Sequence, residues 1–528
     1  MDGLTNLVTY LERSTERFPD RVAVVDPDGT TLTYRALKER ADRIAALLRS
    51  RGVEPGDRVG LLLPKSAAAV TALFGIMKAG AAYVPADFSA PVERNRSILG
   101  DCQVRAAFLD PRCIDVLGSD ALTVPTVVLV PRQGTPSSNG APREGMLSWE
   151  DALEHPPAAL TRPADLDRLA YILYTSGSTG IPKGVMLTHR NASSFVEWCS
   201  SVFAPRETDR FSSHAPFHFD LSILDIYLSI KHGAALYLIS EELGKNPQEL
   251  ARFIADHRLT VWYSTPSILS LLAQFGDLHE HNHDSLRLVL FAGEVFPVKH
   301  LRHITERWPA AKYYNLYGPT ETNVCTFAEI PLPIPPDRQT PYPIGYACSH
   351  CTPLVLHDID GVEVPEGDEG LLYMSGPSVF PGYWNRPVEN AAAFIERNGR
   401  RWYNTGDVVR HESGEGFIYL GRRDRMVKRR GYRIELGEIE RCLYQDSRIR
   451  EAAVVAVPDA SAGVKIVAYL TPQPGERPSI ISMKAFCAEH LPSYMSPDIF
   501  SIVQELPRTS TNKVDYQRLR QSLLPQSV

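Results

Sequence analysis

Strand and helix signals alternate through the first third of the chain, and this alternation constrains the fold more than any other feature. Residues 21–25 read as a strand, 26-DPDG-29 as a turn, and 35–51 as a helix with Leu37, Ala41, Ile44, Ala45 and Leu48 on one face. Gly52 stops that helix. Residues 59–63 follow as a buried strand and 67–78 as another helix, a succession that argues for α/β layering. Alternation resumes from about 191 to 309. A strand-rich region with frequent Gly and Pro runs from about 342 to 420, and strand-like 452–457 and 464–470 precede a helix near 482–490. The expected fold is therefore α/β. A large layered N-terminal domain, 1–423, contains α/β subdomains and a strand-rich subdomain. A small α+β domain, 424–528, is expected to follow, with the boundary near Asp424 as the hinge candidate.

A chain of 528 residues has room for about three or four units and a large core. A formal charge of −6 and a pI of 6.2 provide no overall basic excess for nucleic acid. The start, MDGLTNLVTYLERSTERFPDR, lacks the basic and apolar regions of a secretory signal. The apolar stretch 70–86 is interrupted by Lys78 and two glycines, so no membrane span is expected and a cytoplasmic location fits. Eight scattered cysteines do not form a disulfide framework. Cys348 and Cys351 make one C-x-x-C without a second ligand pair, which reads as packing or loop. The Pro/Gly/Ser-rich 131–145 reads as an exposed excursion.

The stretch 171-YILYTSGSTGIPKGVMLTH-189 concentrates phosphate-binding residue types but fits neither common nucleotide fingerprint. A Walker loop needs G-x-x-x-x-G-K-[ST] before a helix, whereas Lys183 here precedes Gly184 and apolar residues. The dinucleotide pattern needs a strand before it and a helix after it, yet both flanks read as strands. What remains is strand, loop, strand. Gly177, Gly180 and Gly184 permit a backbone anion nest, Thr175, Ser176, Ser178 and Thr179 supply hydroxyls, and Lys183 adds a cation. A Gly/Ser hairpin without ligand is the alternative on this stretch alone.

Four further motifs follow in order: 315-NLYGPTE-321, 403-YNTGD-407, 421-GRRD-424 and 511-TNKVD-515. With the loop, they resemble the adenylate-forming superfamily over essentially the whole chain, specifically the amino-acid adenylation domains of nonribosomal peptide synthesis and their stand-alone relatives. The resemblance implies an AMP-forming ligase using ATP and Mg²⁺. A carboxylate would attack the α-phosphate, pyrophosphate would leave, and the acyl group would pass to a thiol. Two anions must approach each other, so cations and oriented donors are needed where negative charge develops. By resemblance, the loop holds the leaving phosphates, Thr320 contacts the α-phosphate, and Glu321 is the magnesium carboxylate. Tyr317 stacks on adenine, Asp407 binds the ribose, and Arg422 adds a ribose or phosphate contact. Gly293, Glu294, Asn315 and Gly318 complete the ATP site. Lys513 bridges the substrate carboxylate and phosphate. For the second half-reaction the small domain rotates at Asp424, Lys513 leaves, and the segment around Gly431 approaches the thiol.

The segment 217-FHFDLSILDIY-227 resembles the family's substrate-pocket motif, with Asp220 where amino-acid enzymes pair the substrate ammonium. The implied pocket comprises Asp220, Leu221, Leu224, Tyr263, Leu290, Ala292, Leu316, Val324, Cys325 and Lys513. Apart from Asp220 and Lys513 it is uncharged and largely apolar, which suits a small or medium apolar amino acid. The set resembles stand-alone L-proline-activating enzymes that load a separate peptidyl carrier protein. The alternatives are a D-alanine–carrier protein ligase, which usually has cysteine at the position of Ala292, and an acyl-coenzyme A ligase, which Asp220 disfavours. No L-G-G-[HD]-S attachment pattern occurs, so the thiol is expected from another molecule. The cations Arg422, Arg423, Arg425, Lys428, Arg429, Arg430 and Arg433 suggest a surface that steers an acidic carrier. The acidic 435-ELGEIE-440 weakens a nucleic-acid reading.

Overall fold

The computed structural model describes residues 4–118, 124–131, 146–157, 165–177, 181–357, 361–459, 463–508 and 514–523. Ser178, Thr179, Gly180, Lys513 and nearly all of the 131–145 segment lie outside them.

The alternating signals become two sheets. Strands Arg58–Leu62, Ala82–Pro85, Ala106–Leu109, Thr126–Leu129, Met146–Ser148 and Leu169–Thr175 are joined in parallel, and Lys183–Thr188 closes one edge antiparallel to Leu169–Thr175. In the second sheet Ala235–Leu238, Arg210–Ser213, Val261–Ser264, Leu288–Ala292 and Lys312–Tyr317 run parallel in that spatial order. Strands such as Ala106–Leu109 and Leu288–Ala292 are buried at every position, as expected when both faces of a parallel sheet are covered.

Local sequence accounts for the helices between these layers. Thr33 caps Tyr34–Ser50 and Ser66 caps Ala67–Lys78, each hydroxyl accepting from the backbone N–H three residues on. Gly52 and Gly80, at φ +79° and +86°, supply the left-handed turns after them. These helices join Ser222–His232 in one core between the sheets, where Tyr227 Oη donates to Tyr83 Oη at 2.9 Å. Tyr83 also stacks on Tyr171, with ring centroids 5.2 Å apart.

The strand-rich region forms a third sheet from Thr352–Leu356, Glu369–Ser375, Phe394–Arg397, Arg400–Glu412 and Gly416–Arg422. After Asp424 a hairpin of Met426–Arg429 and Tyr432–Glu435 precedes strands Ile449–Asp459, Gly463–Pro472 and Ile499–Ile502 and helices Leu436–Leu443 and Ile480–His490. Ile434, Ile439, Val454, Ala468, Met483 and Phe500 belong to a core drawn entirely from this part of the chain. The architecture is thus mixed α/β with a large N-terminal and a small C-terminal domain. No helix among the described residues is long and apolar enough to cross a membrane. Cys348 and Cys351 are buried free thiols, and Cys351 Sγ lies 3.2 Å from Ser378 Oγ.

A Cβ at Gly75 would lie 2.5 Å from Ile44 Cγ2 and 3.2 Å from the Ala41 carbonyl oxygen, where the two capped helices cross. Overpacking a core of this kind costs about 1–3 kcal/mol. Gly75→Val is therefore expected to lower the thermal unfolding midpoint, read by differential scanning fluorimetry, despite valine's smaller backbone entropy in the unfolded chain. An unchanged midpoint would refute this close helix crossing.

Candidate active site

The motif residues gather where parallel strands end. The loop containing Asp220 follows Arg210–Ser213; Tyr263 is the last residue but one of Val261–Ser264; Ala292 ends Leu288–Ala292, with Gly293 and Glu294 just after it; and Gly318 to Glu321 follow Tyr317, the end of Lys312–Tyr317. Thr175, Ser176 and Gly177 leave the other sheet at the end of Leu169–Thr175. Ligands of open α/β sheets bind at such carboxyl ends, where successive loops diverge. The third sheet contributes Asp407 and Arg422 from adjacent strands, paired residue to residue.

A small cavity of about 50 Å³ lies at this junction, lined by Asp220, Leu221, Tyr263, Ala292, Gly293, Gly318, Thr320, Val324 and Arg422. Leu224, Leu290, Leu316 and Cys325 are buried but do not line it. Instead Phe195 and Phe219 complete the apolar wall, and Asn323 adds an amide. Sequence reasoning missed Phe195 because its helix presents an ordinary apolar face. A larger cleft of about 720 Å³, walled by Asp26, Lys65, Phe88 and His218 among others, includes none of Asp220, Lys183, Thr320, Glu321, Tyr317 or Asp407.

Hydrogen bonds and charge pairs order the cavity rim. Thr320 Oγ1 donates to Asp220 Oδ2 at 2.7 Å. Withdrawal from water lifts Asp220 above the ordinary carboxylate range, while the Thr320 bond opposes the rise. Tyr317 Oη donates to Asp407, and Arg422 Nη1 donates to the other oxygen of Asp407 at 2.8 Å. Arg422 also grips Asp424 through two bonds of 2.7 Å. Asn315 Nδ2 donates to the Pro343 carbonyl at 2.8 Å, so its amide is committed to the scaffold.

Glu321 is fully buried and receives Tyr383 Oη and Arg433 Nη1, both at 2.7 Å from Oε1. Burial alone would raise its pKa, but Arg433 and then Lys183 outweigh burial and hold it at about 2. Its Oε2 has no hydrogen-bond partner among the described residues, nor has the Oγ1 of Thr175. Lys183 Nζ stands 4.8 Å over the Tyr383 ring.

The hairpin after Asp424 enters the site, and this changes the reading of its cations. Gly431, at φ +81°, donates its N–H to Glu294 Oε1 at 2.8 Å, while Glu294 Oε2 takes the N–H of Ser267 at 3.1 Å. Ser176 Oγ donates to the Arg433 carbonyl at 2.7 Å and accepts from Glu435 N at 3.1 Å. Arg94 pairs with Glu438 across the same interface. Lys428 lines the cavity near Asp220 and lies 5.7 Å over the Tyr317 ring. Arg425 pairs with Glu440, and Arg429 is buried against Asp498 and the carbonyls of Tyr494 and Ser496. Most of the cation run thus neutralises internal carboxylates. The carrier-steering expectation is corrected for Lys428, Arg429 and Arg433, which do not present a free surface. Arg430 is exposed.

Comparison with known proteins agrees with this geometry. Residues 11–384 match the family AMP-binding enzyme, and 438–513 match the AMP-binding enzyme C-terminal domain. An L-proline--[L-prolyl-carrier protein] ligase of Pseudomonas fluorescens is 39% identical over 503 residues, covering 95% of this chain and 96% of that protein. A ligase of the same name from Streptomyces coelicolor is 39% identical over 526 residues, covering 98% and 97%. The Vibrio cholerae adenylation domain AlmE, solved in complex with glycyl-adenosine-5'-phosphate, superposes with a TM-score of 0.83 at 26% identity, covering 98% of this chain and 97% of that one. The chain accordingly belongs to the AMP-binding enzyme family and is an AMP-forming ligase.

Proposed function

We propose that this protein adenylates L-proline with ATP, releasing pyrophosphate, and then transfers the prolyl group to the phosphopantetheine thiol of a separate peptidyl carrier protein. The observation that carries this reading is Asp220, a carboxylate at the edge of a small, mostly apolar cavity. It supplies the counter-charge that an amino acid's ammonium needs, while Phe195, Phe219, Leu221, Ala292 and Val324 offer apolar surface to an uncharged side chain. The 39% identity to two proline ligases over nearly the whole chain supports the same choice. A cytoplasmic setting fits this reaction.

In the first half-reaction the substrate carboxylate attacks the α-phosphorus of ATP and pyrophosphate leaves with the bridging oxygen's electrons. Thr175, Ser176, Gly177, Ser178, Thr179, Gly180 and Lys183 hold the leaving phosphates. Tyr317 and Asp407 position the nucleoside, with Gly293, Glu294, Asn315, Gly318 and Arg422 shaping its surroundings. Thr320 orients the α-phosphate, and Lys513 neutralises the two anions as they meet. Glu321 fits Mg²⁺: its buried Oε2 lacks a partner among the described residues, and a hard carboxylate oxygen suits this ion. The ion's charge would offset the phosphates.

The second half-reaction follows rotation of the 424–528 domain relative to 1–423 at Asp424. The arrangement described above, with the hairpin seated by Gly431, suits this step. The carrier thiol, losing its proton, attacks the prolyl carbonyl carbon, and AMP leaves. Gly431 contributes the absence of a side chain: a Cβ there would lie 2.3 Å from Thr265 Cγ2 and 3.3 Å from the Phe219 ring.

Two outcomes are expected. In ATP/pyrophosphate exchange across L-proline, D-alanine, L-alanine, L-valine and a fatty acid, L-proline dominates, and Lys513→Ala removes the activity. Asp220→Ala, which leaves a bound ammonium without its counter-charge, lowers proline-dependent kcat/KM by about 10²- to 10³-fold while changing ATP affinity little. Dominance of D-alanine, or equal losses for both substrates, would overturn the assignment. Separately, Gly431→Ala is expected to slow prolyl transfer to the carrier much more than exchange; parallel loss of the two would remove Gly431 from the transfer step.

A further inference from the structure

A carboxylate shut off from water must be neutralised by a neighbour or take up a proton. Glu321 meets this demand unevenly. Tyr383 and Lys183 belong to the large domain, but the cation in direct contact with Glu321, Arg433, arrives only with the hairpin that follows Asp424. The approach is tight and committed. Arg433's carbonyl accepts from Ser176, the next residues pair Glu435 N with Ser176, and the Arg433 side chain is 14% exposed. Its guanidinium lies on the carboxylate that would otherwise hold a divalent cation. Arg433 holds Oε1, and a divalent cation drawn to the unpartnered Oε2 would stand close to that guanidinium and be repelled by it in a site so poorly screened by water.

We propose that Arg433 is a positioning residue that takes over Glu321 from the divalent cation, so that hairpin docking and metal–pyrophosphate binding exclude each other. The inference rests on the proposed two-step reaction and deepens it. While metal and pyrophosphate occupy the site, the metal holds Glu321 and repels the Arg433 guanidinium from that carboxylate, and the hairpin stays out. Once they leave, Glu321 is buried without a full partner and draws Arg433 in, which seats Gly431 beside Glu294. Departure of the first product is thereby made a condition for the second half-reaction, through one carboxylate exchanging one cation for another. Lys183 cannot serve as the switch, because it lies on the strand Lys183–Thr188 of the large domain and does not travel with the hairpin.

The test uses the full-length protein, with Mn²⁺ plus pyrophosphate as the probe. Bound Mn²⁺ is counted by electron paramagnetic resonance, and backbone protection of 426–435 is followed by hydrogen exchange. In the wild type, Mn²⁺–pyrophosphate is expected to deprotect the hairpin, whereas pyrophosphate alone does so less. Arg433→Ala is expected to bind Mn²⁺–pyrophosphate roughly tenfold more tightly and to leave the hairpin deprotected without it, because the competitor has gone. Arg433→Lys, which keeps the charge, restores part of the competition. With pre-formed prolyl-adenylate, Arg433→Ala lowers transfer to the carrier at least about tenfold more than it lowers exchange. Hairpin protection indifferent to Mn²⁺–pyrophosphate in the wild type, an unaltered Mn²⁺ affinity in Arg433→Ala, or equal loss of both half-reactions would each overturn the proposal. Absence of proline-dependent exchange in the wild type would instead defeat the substrate assignment, while the competition between Mn²⁺–pyrophosphate and the hairpin needs no amino acid and still decides this inference.

Discussion

Four carboxylates, Asp220, Glu294, Glu321 and Asp407, surround one small site, and the need to neutralise them organises much of what lies nearby. Glu321 and Asp407 are shut off from solvent at 0% and 1% exposure. Each draws on a partner from the 422–433 segment: Arg422 for Asp407, Arg433 for Glu321, the Gly431 N–H for Glu294, and Lys428 acting electrostatically on Asp220. Leaving any of the buried charges unpaired would be more damaging than replacing the pair outright. The sheets supply the geometry, since loops from the ends of parallel strands bring residues distant in sequence to within bonding distance. The cations supply the compensation.

Elements governed by local chemistry were legible in the sequence. The helix expected over 67–78 is the observed Ala67–Lys78, because a serine cap, a run of apolar residues and a following glycine act within one element. The strand–loop–strand around Gly177 was equally readable, since alternation of β-favouring residues and a hydroxyl-rich break is a local pattern. The direction of the cation run was not. Arg433 is 112 residues from Glu321, and Arg425 and Arg429 find Glu440 and Asp498 through the fold of the small domain. A charge cluster in sequence records type and spacing but not which charges meet a carboxylate on another element. The apolar pocket shows the same limit: Leu224 and Phe195 are both helical and apolar, and only packing decides that Phe195 faces the cavity.

The contacts across Asp424 divide into two kinds. Arg422 precedes Asp424 and bonds Asp407 on an adjacent strand of the same sheet, so this pair survives a rotation at Asp424. The Arg433–Glu321, Gly431–Glu294, Ser176–Arg433 and Arg94–Glu438 contacts join opposite sides of that point and must be lost together if the small domain turns as a body. Asp424 itself holds Arg422 through both carboxylate oxygens and takes the Met426 N–H, so its own bonds tie the proposed turning point to the strand that carries Arg422. A set of contacts that shares one rigid hairpin favours two discrete arrangements over a continuum of partly closed ones, because losing the first exposes the charges that the others leave unpaired. The small domain's separate core and its internal Arg425–Glu440 and Arg429–Asp498 pairs would let it make the proposed rotation without unfolding.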